Sequence, residues 1–513
     1  MKRWALLLCA MALCLSLSGC YEAEVPEEED FWTYTPEESA DAEEISHAAQ
    51  VFTLPYLSSQ TLDPIACPDG VQQVIGSLLY EGLFVLNERF EPQPLLCSTY
   101  SQSSNGLTYT FELREDVTFS NGVLLAPSDV LATYRRAQIS DRYSARFANV
   151  AAMRVGRGTF IVTLRQPDSA FPALLDIPIV KSGTEKDPVP LGTGPYLFLT
   201  DSEGPCLVRS ENWWNNNVPT LDRIELASAK DADTAVYLFS ARSAHLLTAD
   251  LLSATTAASL GSVDMTDAPT TAMLFLGFNA AKPALSDPAL RAAIGSAIDR
   301  DAVATVLLAG HAQPAQFPIP PVSPLYPAAL ETPYDAGAYE EALAPVQNEA
   351  ASPVDAQPLE LTLLVNAENS FKTAVAEYLA KELTAAHVTV TPVILPWNEY
   401  LEALEGGNFD LWLGEVRLTA DWDVTSLVGA GGALNYGKFA NADLDAALRA
   451  FLKSGSPAAA EAFCAKLAEQ SPIQPIVFKS LSVLTPEGLI DGVSPTAAHP
   501  LRSLDQWTFH FSA

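Results

Sequence analysis

The stretch LELTLLVNAENSFKTAVAEYLAKELTAAHVTVTPVIL, residues 359–395, carries the reading of the fold. Residues 359–365 predict a strand, residues 371–383 a helix, and residues 388–395 a second strand. Strand, helix and strand in succession point to an α/β lobe. Toward the N-terminus, Ser286-Asp287-Pro288 is a helix start, a capping residue followed by proline. Leu290, Ala293, Ile294, Ala297 and Ile298 then recur at helical spacing as one apolar face, with Gly310 as the stop. Residues 313–333 are too rich in proline for regular helix, and 345–358 read as a Pro/Ala-rich connector. Farther out, Leu107, Tyr109, Phe111 and Leu113 alternate with polar neighbours, the period-two pattern of a half-buried strand. A helix is expected to start near Pro127-Ser128-Asp129, and further strands over 155–164 and 221–226. No repeat of fixed period is visible.

Composition narrows the class. At 513 residues, about three domains fit the usual domain size. Hydrophobic residues make up 48%, enough for a large core, so wholesale disorder is excluded. A formal net charge of -33 repels phosphate backbones, which argues against nucleic acid as a partner. The acidity is uneven: residues 22–44 hold 11 acidic residues and no Lys or Arg.

The N-terminus resembles an export signal. Lys2 and Arg3 precede a 14-residue uncharged run, residues 4–17, shorter than the ~20 residues a membrane span needs. The run ends in Leu17-Ser18-Gly19-Cys20, which resembles the bacterial lipobox. That predicts a signal peptide over 1–19, a lipidated Cys20, and an acidic tether over 20–50 that anchors the chain at the cell membrane.

Enzyme chemistry finds little footing. The six histidines are isolated, with no HExxH pair, and neither a GxSxG elbow nor a Walker loop is present. Gly429–Gly432 lacks a dinucleotide-site context. Cys67, Cys97, Cys206 and Cys464 are widely spaced, so metal ligation is not expected. The last four either include a Cys67–Cys97 disulfide or are buried free thiols.

Several motifs together resemble the family-5 extracellular solute-binding proteins, the oligopeptide- and dipeptide-binding lipoproteins of ABC importers. They are Thr61-Leu62-Asp63-Pro64, Leu79-Tyr80-Glu81-Gly82-Leu83, the segment from Gly106 to Gly122 with Asp129 and Arg136, and Gly192-Thr193-Gly194-Pro195-Tyr196. Asn212-Trp213-Trp214, Phe278-Asn279, Arg291, Asp299-Arg300, Phe409-Asp410-Leu411 and Asn435-Tyr436 follow in the family's order. Most of these residues read as framework: Gly192 and Gly194 as a tight turn, Asp299-Arg300 as a helix-end charge pair.

The resemblance implies an α/β, two-lobed periplasmic-binding-protein-like fold of type II, cluster C-like, with an extra subdomain and a hinge of two crossing segments. Lobe I would combine 51–78, 190–273 and 481–513, with 79–189 appended, and lobe II would span 274–480. Residues 275–279 and 476–481 are the candidate crossings. It also implies a non-catalytic monomer that captures a small solute, a peptide by this reading, and delivers it to an ABC permease complex in the membrane. A signalling or adhesion role, or a metal-complex or sugar ligand, are the alternatives. No cofactor or metal is implied.

In peptide-binding relatives an aspartate in a W-x-x-D-like segment holds the peptide's amino terminus. Asp421 takes that place here, within Glu415 to Asp423, although Leu418 stands where the aromatic is expected and Arg417 replaces a small residue. A surface-loop aspartate is the plain alternative for Asp421. Arg417 could pair with Asp421 or meet an acidic ligand group. Trp397, Trp412, Trp422 and Tyr436 are candidates to stack on a ligand, with core packing as the ordinary alternative.

Overall fold

A computed structural model describes residues 51–511 apart from 69, 216–218, 254–259, 349–358 and 386–387. The expected export signal, the tether with Cys20, and the later part of the 345–358 connector lie outside the described residues.

Leu359–Asn366 and Val388–Leu395 run in parallel, from Leu359 opposite Val388 to Asn366 opposite Leu395. Parallel neighbours cannot be joined by a tight turn, and helix Ser370–Glu382 makes the crossover. Asn369 starts that helix, its side chain accepting from Lys372 N at 3.0 Å. The pair forms one side of a seven-stranded mixed sheet. Its order continues through Leu411–Arg417, Val263–Phe278 and Ile473–Pro486 to Leu247–Ala249, with Ala312–Pro314 also pairing to Ile473–Pro486.

Alternation along the central strand sends side chains to two cores. Leu274, Leu276 and Phe278 pack with Leu290 and Ile294 of helix Pro288–Ser296 and with Val375 and Leu379. Met273 and Phe275 face the other way, toward Tyr400, Leu444 and Phe463 of helices Trp397–Gly406, Ala442–Ser454 and Pro457–Gln470. A sheet covered by helices on both faces is the α/β arrangement.

The long strands Val263–Phe278 and Ile473–Pro486 are antiparallel, and the residues expected as crossings lie in them or at their ends. Their register shifts between Pro269 and Met273, opposite Lys479. An insertion of this kind bends the strand and raises its twist, and Pro269 is tolerated at such an irregularity.

Besides two short two-stranded ladders, two four-stranded sheets complete the scaffold among the described residues. In one, Thr53–Leu57 pairs in parallel with Arg223–Ala229, followed by Pro205–Arg209 and Tyr196–Thr200. The other is antiparallel, in the order Cys97–Gln102, Thr108–Leu113, Thr159–Leu164, Val150–Val155. Tyr109, Phe111 and Leu113 are buried, as alternation predicts, against helix Pro127–Ala137 through Val130 and Tyr134.

Local differences have local causes. The single strand expected over 155–164 is a hairpin, because Gly158, at φ +71, turns the chain and Gly156 N closes onto Thr159 O at 2.8 Å. The helix at 288 ends at Ser296, and a new turn begins at Arg300. Asp299 and Arg300 therefore do not pair with each other. Asp299 caps the new turn through Ala302 N, while Arg300 donates to Gly295 O of the preceding helix. Cys97, Cys206 and Cys464 are buried free thiols, so no Cys67–Cys97 disulfide forms, and Cys67 is buried as well.

Candidate functional site

The recognised motifs meet one another inside the scaffold. Glu81, 6% exposed, accepts from Thr193 Oγ1 at 2.9 Å and Trp214 Nε1 at 2.8 Å, and Arg114 lies over the Trp214 ring. Burial pushes the Glu81 carboxyl up to about 7 against the pull of those hydrogen bonds. Gly192 and Gly194 have no room for a side chain: a Cβ would sit 2.0 Å from Leu79 O and 2.4 Å from Leu78 O. Close approach to the end of helix Val71–Leu79, and not a left-handed turn, requires glycine there. Asp63 pairs with Arg136, and Asp129 with Lys181 at 2.8 Å. Arg291 donates to four backbone carbonyls, of Leu285, Ser286, Gln470 and Ser471. Asn279 bonds Gly407 O and Phe409 O, and Asn435 bonds Gly429 O and Phe439 O. These residues are joinery.

Asp421 differs from them. The strand Leu411–Arg417 leads into a turn at 418–424, and the Asp421 side chain points inward at 7% exposure. Its Oδ1 accepts from Thr419 Oγ1 at 2.5 Å and from Asp423 N at 3.3 Å. No ion pair holds it among the described residues. Burial raises its carboxyl to about 6, Thr419 opposes the rise, and the Asp423 charge adds to it. Trp422 follows in the left-handed region at φ +60, a costly conformation for a bulky residue, and its ring meets Phe90 edge-on at 5.5 Å. Phe90 is itself at φ +64.

On the other side stands Asp168, 2% exposed, between strand Thr159–Leu164 and the 3₁₀ turn Phe171–Leu174. Its Oδ1 accepts from Ala170 N at 2.9 Å, and its Oδ2 is buried without a hydrogen-bond partner. Burial first, then the charges of Asp421 and Asp423, hold this carboxyl well above the ordinary range. The neighbouring Ser169 N and Oγ both donate to Leu452 O, at 2.8 and 3.0 Å, which ties this segment to helix Ala442–Ser454. Sequence reading did not single out Asp168, since nothing in Gln166 to Ala170 marks it among 62 acidic residues.

The aromatic candidates divide. Trp412 is buried, edge-on to Phe275 at 4.9 Å and to Tyr436 at 5.4 Å, with its indole over Gly277 of the adjacent strand. Tyr436 is partly buried beside it. Trp397 is 49% exposed and stacked on Tyr400 at 5.7 Å. Arg417 is exposed at the strand end and is not among the partners of Asp421.

A second polar cluster lies along the bend in the long strands. Lys479, 7% exposed, places Nζ 2.7 Å from Asp250 and 3.3 Å from Glu415. Lys372 Nζ donates to Asn366 Oδ1 at 2.6 Å, and its own pKa is lowered by burial. Glu368 joins Asn366 to Trp397 N. The signal for Lys479 was legible, a single charge inside the apolar run 476–484.

Among the described residues no group of three or more His, Cys, Asp or Glu could hold a metal ion, and no helix is long and apolar enough to cross a membrane. Asp421 and Asp168 are buried carboxyls, and Lys479 is paired separately with Asp250 and Glu415.

The sequence profile described as bacterial extracellular solute-binding proteins, family 5, middle, matches residues 91–434. The glutathione-binding protein GsiB of Salmonella typhimurium is 26% identical over 425 residues, 77% of this chain and 82% of that protein. HbpA2 of Haemophilus parasuis shares the fold at TM-score 0.72 and 17% identity, over 90% of this chain and 99% of that one. The oligopeptide-binding protein AppA of Bacillus subtilis, solved with a nonapeptide, does so at TM-score 0.60 and 18% identity, over 90% and 97%.

Proposed function

The chain belongs to family 5 of the bacterial extracellular solute-binding proteins, and from that premise we propose that it captures peptides through their free amino terminus and hands them to an ABC importer permease. It is a binding protein, not an enzyme. The carrying observation is Asp421, a buried carboxylate without an ion pair. A ligand ammonium would supply that pair as a charge-assisted hydrogen bond. Glutathione and oligopeptides, named for two of the similar proteins, both carry such an amine.

Delivery would depend on closure. A peptide touching both lobes binds the closed state better and shifts the population toward it. The bend opposite Lys479 is the proposed hinge, with the lobe boundaries near 273 and 480. A diacyl anchor on Cys20 would hold the receptor at the membrane, and the acidic tether would raise its concentration at the permease.

A thermal-shift screen with di- to pentapeptides, glutathione, sugars and nickel–histidine complexes tests this reading. A peptide at 100 times its dissociation constant adds about 2.7 kcal/mol of stability. Stabilisation by sugars or nickel complexes alone would replace the peptide assignment. No stabilisation by any solute would favour a signalling or adhesion role.

A further inference from the structure

The segment around Asp168 approaches the turn at 418–424, and each brings one buried carboxyl. Three contacts set the approach: Ser169 bonded to Leu452 O, Phe90 against Trp422, and Gly455 so close to Ser169 that a Cβ would lie 2.4 Å from its Oγ. Asp421 uses Oδ1 for both of its described bonds. Asp168 Oδ2 is buried and bonded to nothing.

Building on the solute-binding reading, we infer that Asp168 and Asp421 form a two-carboxylate clamp for one primary ammonium group of the ligand, with Asp168 contributing from the 79–189 side. An ammonium has three N–H donors, so it can bond a free oxygen of each carboxylate and neutralise charge that burial makes costly. A metal ion is the poorer fit, because among the described residues no third ligating side chain joins the pair. The titratable groups acting on the pair are Asp423, on Asp421's own turn, and the Tyr109 phenol, whose hydroxyl donates to Asp168 O at 2.8 Å.

Buried carboxyls that act on one another do not both ionise readily, so the empty clamp retains a proton on one of them. The incoming ammonium replaces that proton, which leaves to solvent. Binding should therefore release a proton, and affinity should climb with pH for as long as the empty clamp holds that proton. It should fall again once the α-amine deprotonates near about pH 8.

Trialanine and N-acetyl-trialanine, titrated calorimetrically in two buffers of different ionisation enthalpy, read both features. Wild type should bind trialanine with proton release and reject the acetylated form. Asp168→Asn keeps the acceptor for Ala170 N, yet should weaken trialanine at least about tenfold and abolish the proton release. Unchanged affinity and proton release in Asp168→Asn would overturn the clamp while leaving peptide capture intact. Equal binding of the acetylated peptide would do the same. If neither peptide binds wild type, the peptide reading fails. The clamp then stands or falls on methylammonium, which must stabilise wild type and not Asp168→Asn. Melting of the unliganded variant guards against misfolding. Asp168→Asn should melt higher than wild type at about pH 8 and equally at about pH 5; lower melting at both would make Asp168 structural and overturn the proposal.

Discussion

Trp214 Nε1 donates to Glu81 Oε2 at 2.8 Å, joining two motifs that lie far apart in the chain. Thr193 reaches the same oxygen, so one buried carboxyl serves three of the segments by which the family is recognised. Their grouping reflects a shared framework.

Glu81→Ala should strand two buried donors and cost about 2–4 kcal/mol in urea unfolding. Glu81→Gln should cost less. The folded carboxyl sits at about 7, above its ordinary 4.5, so its protonation favours the folded state. That contribution is fully present below 4.5 and lost as pH climbs through about 7. The Gln variant should flatten this part of the stability profile.

Gly192→Ala should be more damaging than a typical surface change, because its Cβ would meet Leu79 O at 2.0 Å. Backbone must move, at a cost of about 3 kcal/mol or more. Soluble yield and melting temperature check this, and an unchanged melting point would contradict the close approach.

Asp421→Asn should remove amine-dependent binding and also stabilise the unliganded protein. Its carboxyl is raised from 3.8 to about 6, so its favourable contribution is complete below 3.8 and lost as pH rises through about 6. Above that window the variant should exceed wild type by on the order of 2 kcal/mol, and the two should converge in acid. Melting curves across pH measure the difference.

Lys479→Met should destabilise by about 1–2 kcal/mol, since Asp250 and Glu415 lose a buried partner but remain partly hydrated. Replacing Asp250 with Asn in the Met background should add little if the three act as a unit, as a double-mutant cycle would show.

Much of the scaffold was readable because its signals are local. Asp287 caps a helix where capping chemistry predicted a start, and the helix expected over 371–383 runs from Ser370 to Glu382. Leu107 to Leu113 alternated, and its strand is half buried. The hairpin at 150–164 was missed because a Gly-Arg-Gly turn is short and leaves β-forming residues on both sides. Gly192 and Gly194 were rightly read as framework, but the cause lies in a helix end more than a hundred positions earlier.

Asp421 was legible by its place in a motif, whereas Asp168 was not. The sequence alone determined the α/β class, the family, the joinery residues and one candidate carboxylate, because capping, alternation and motif order act over a few neighbouring positions. Only the tertiary structure put the buried carboxyls of Asp168 and Asp421 within electrostatic reach of one another. Burial and charge coupling depend on segments brought together from distant parts of the chain, and no local pattern encodes that meeting.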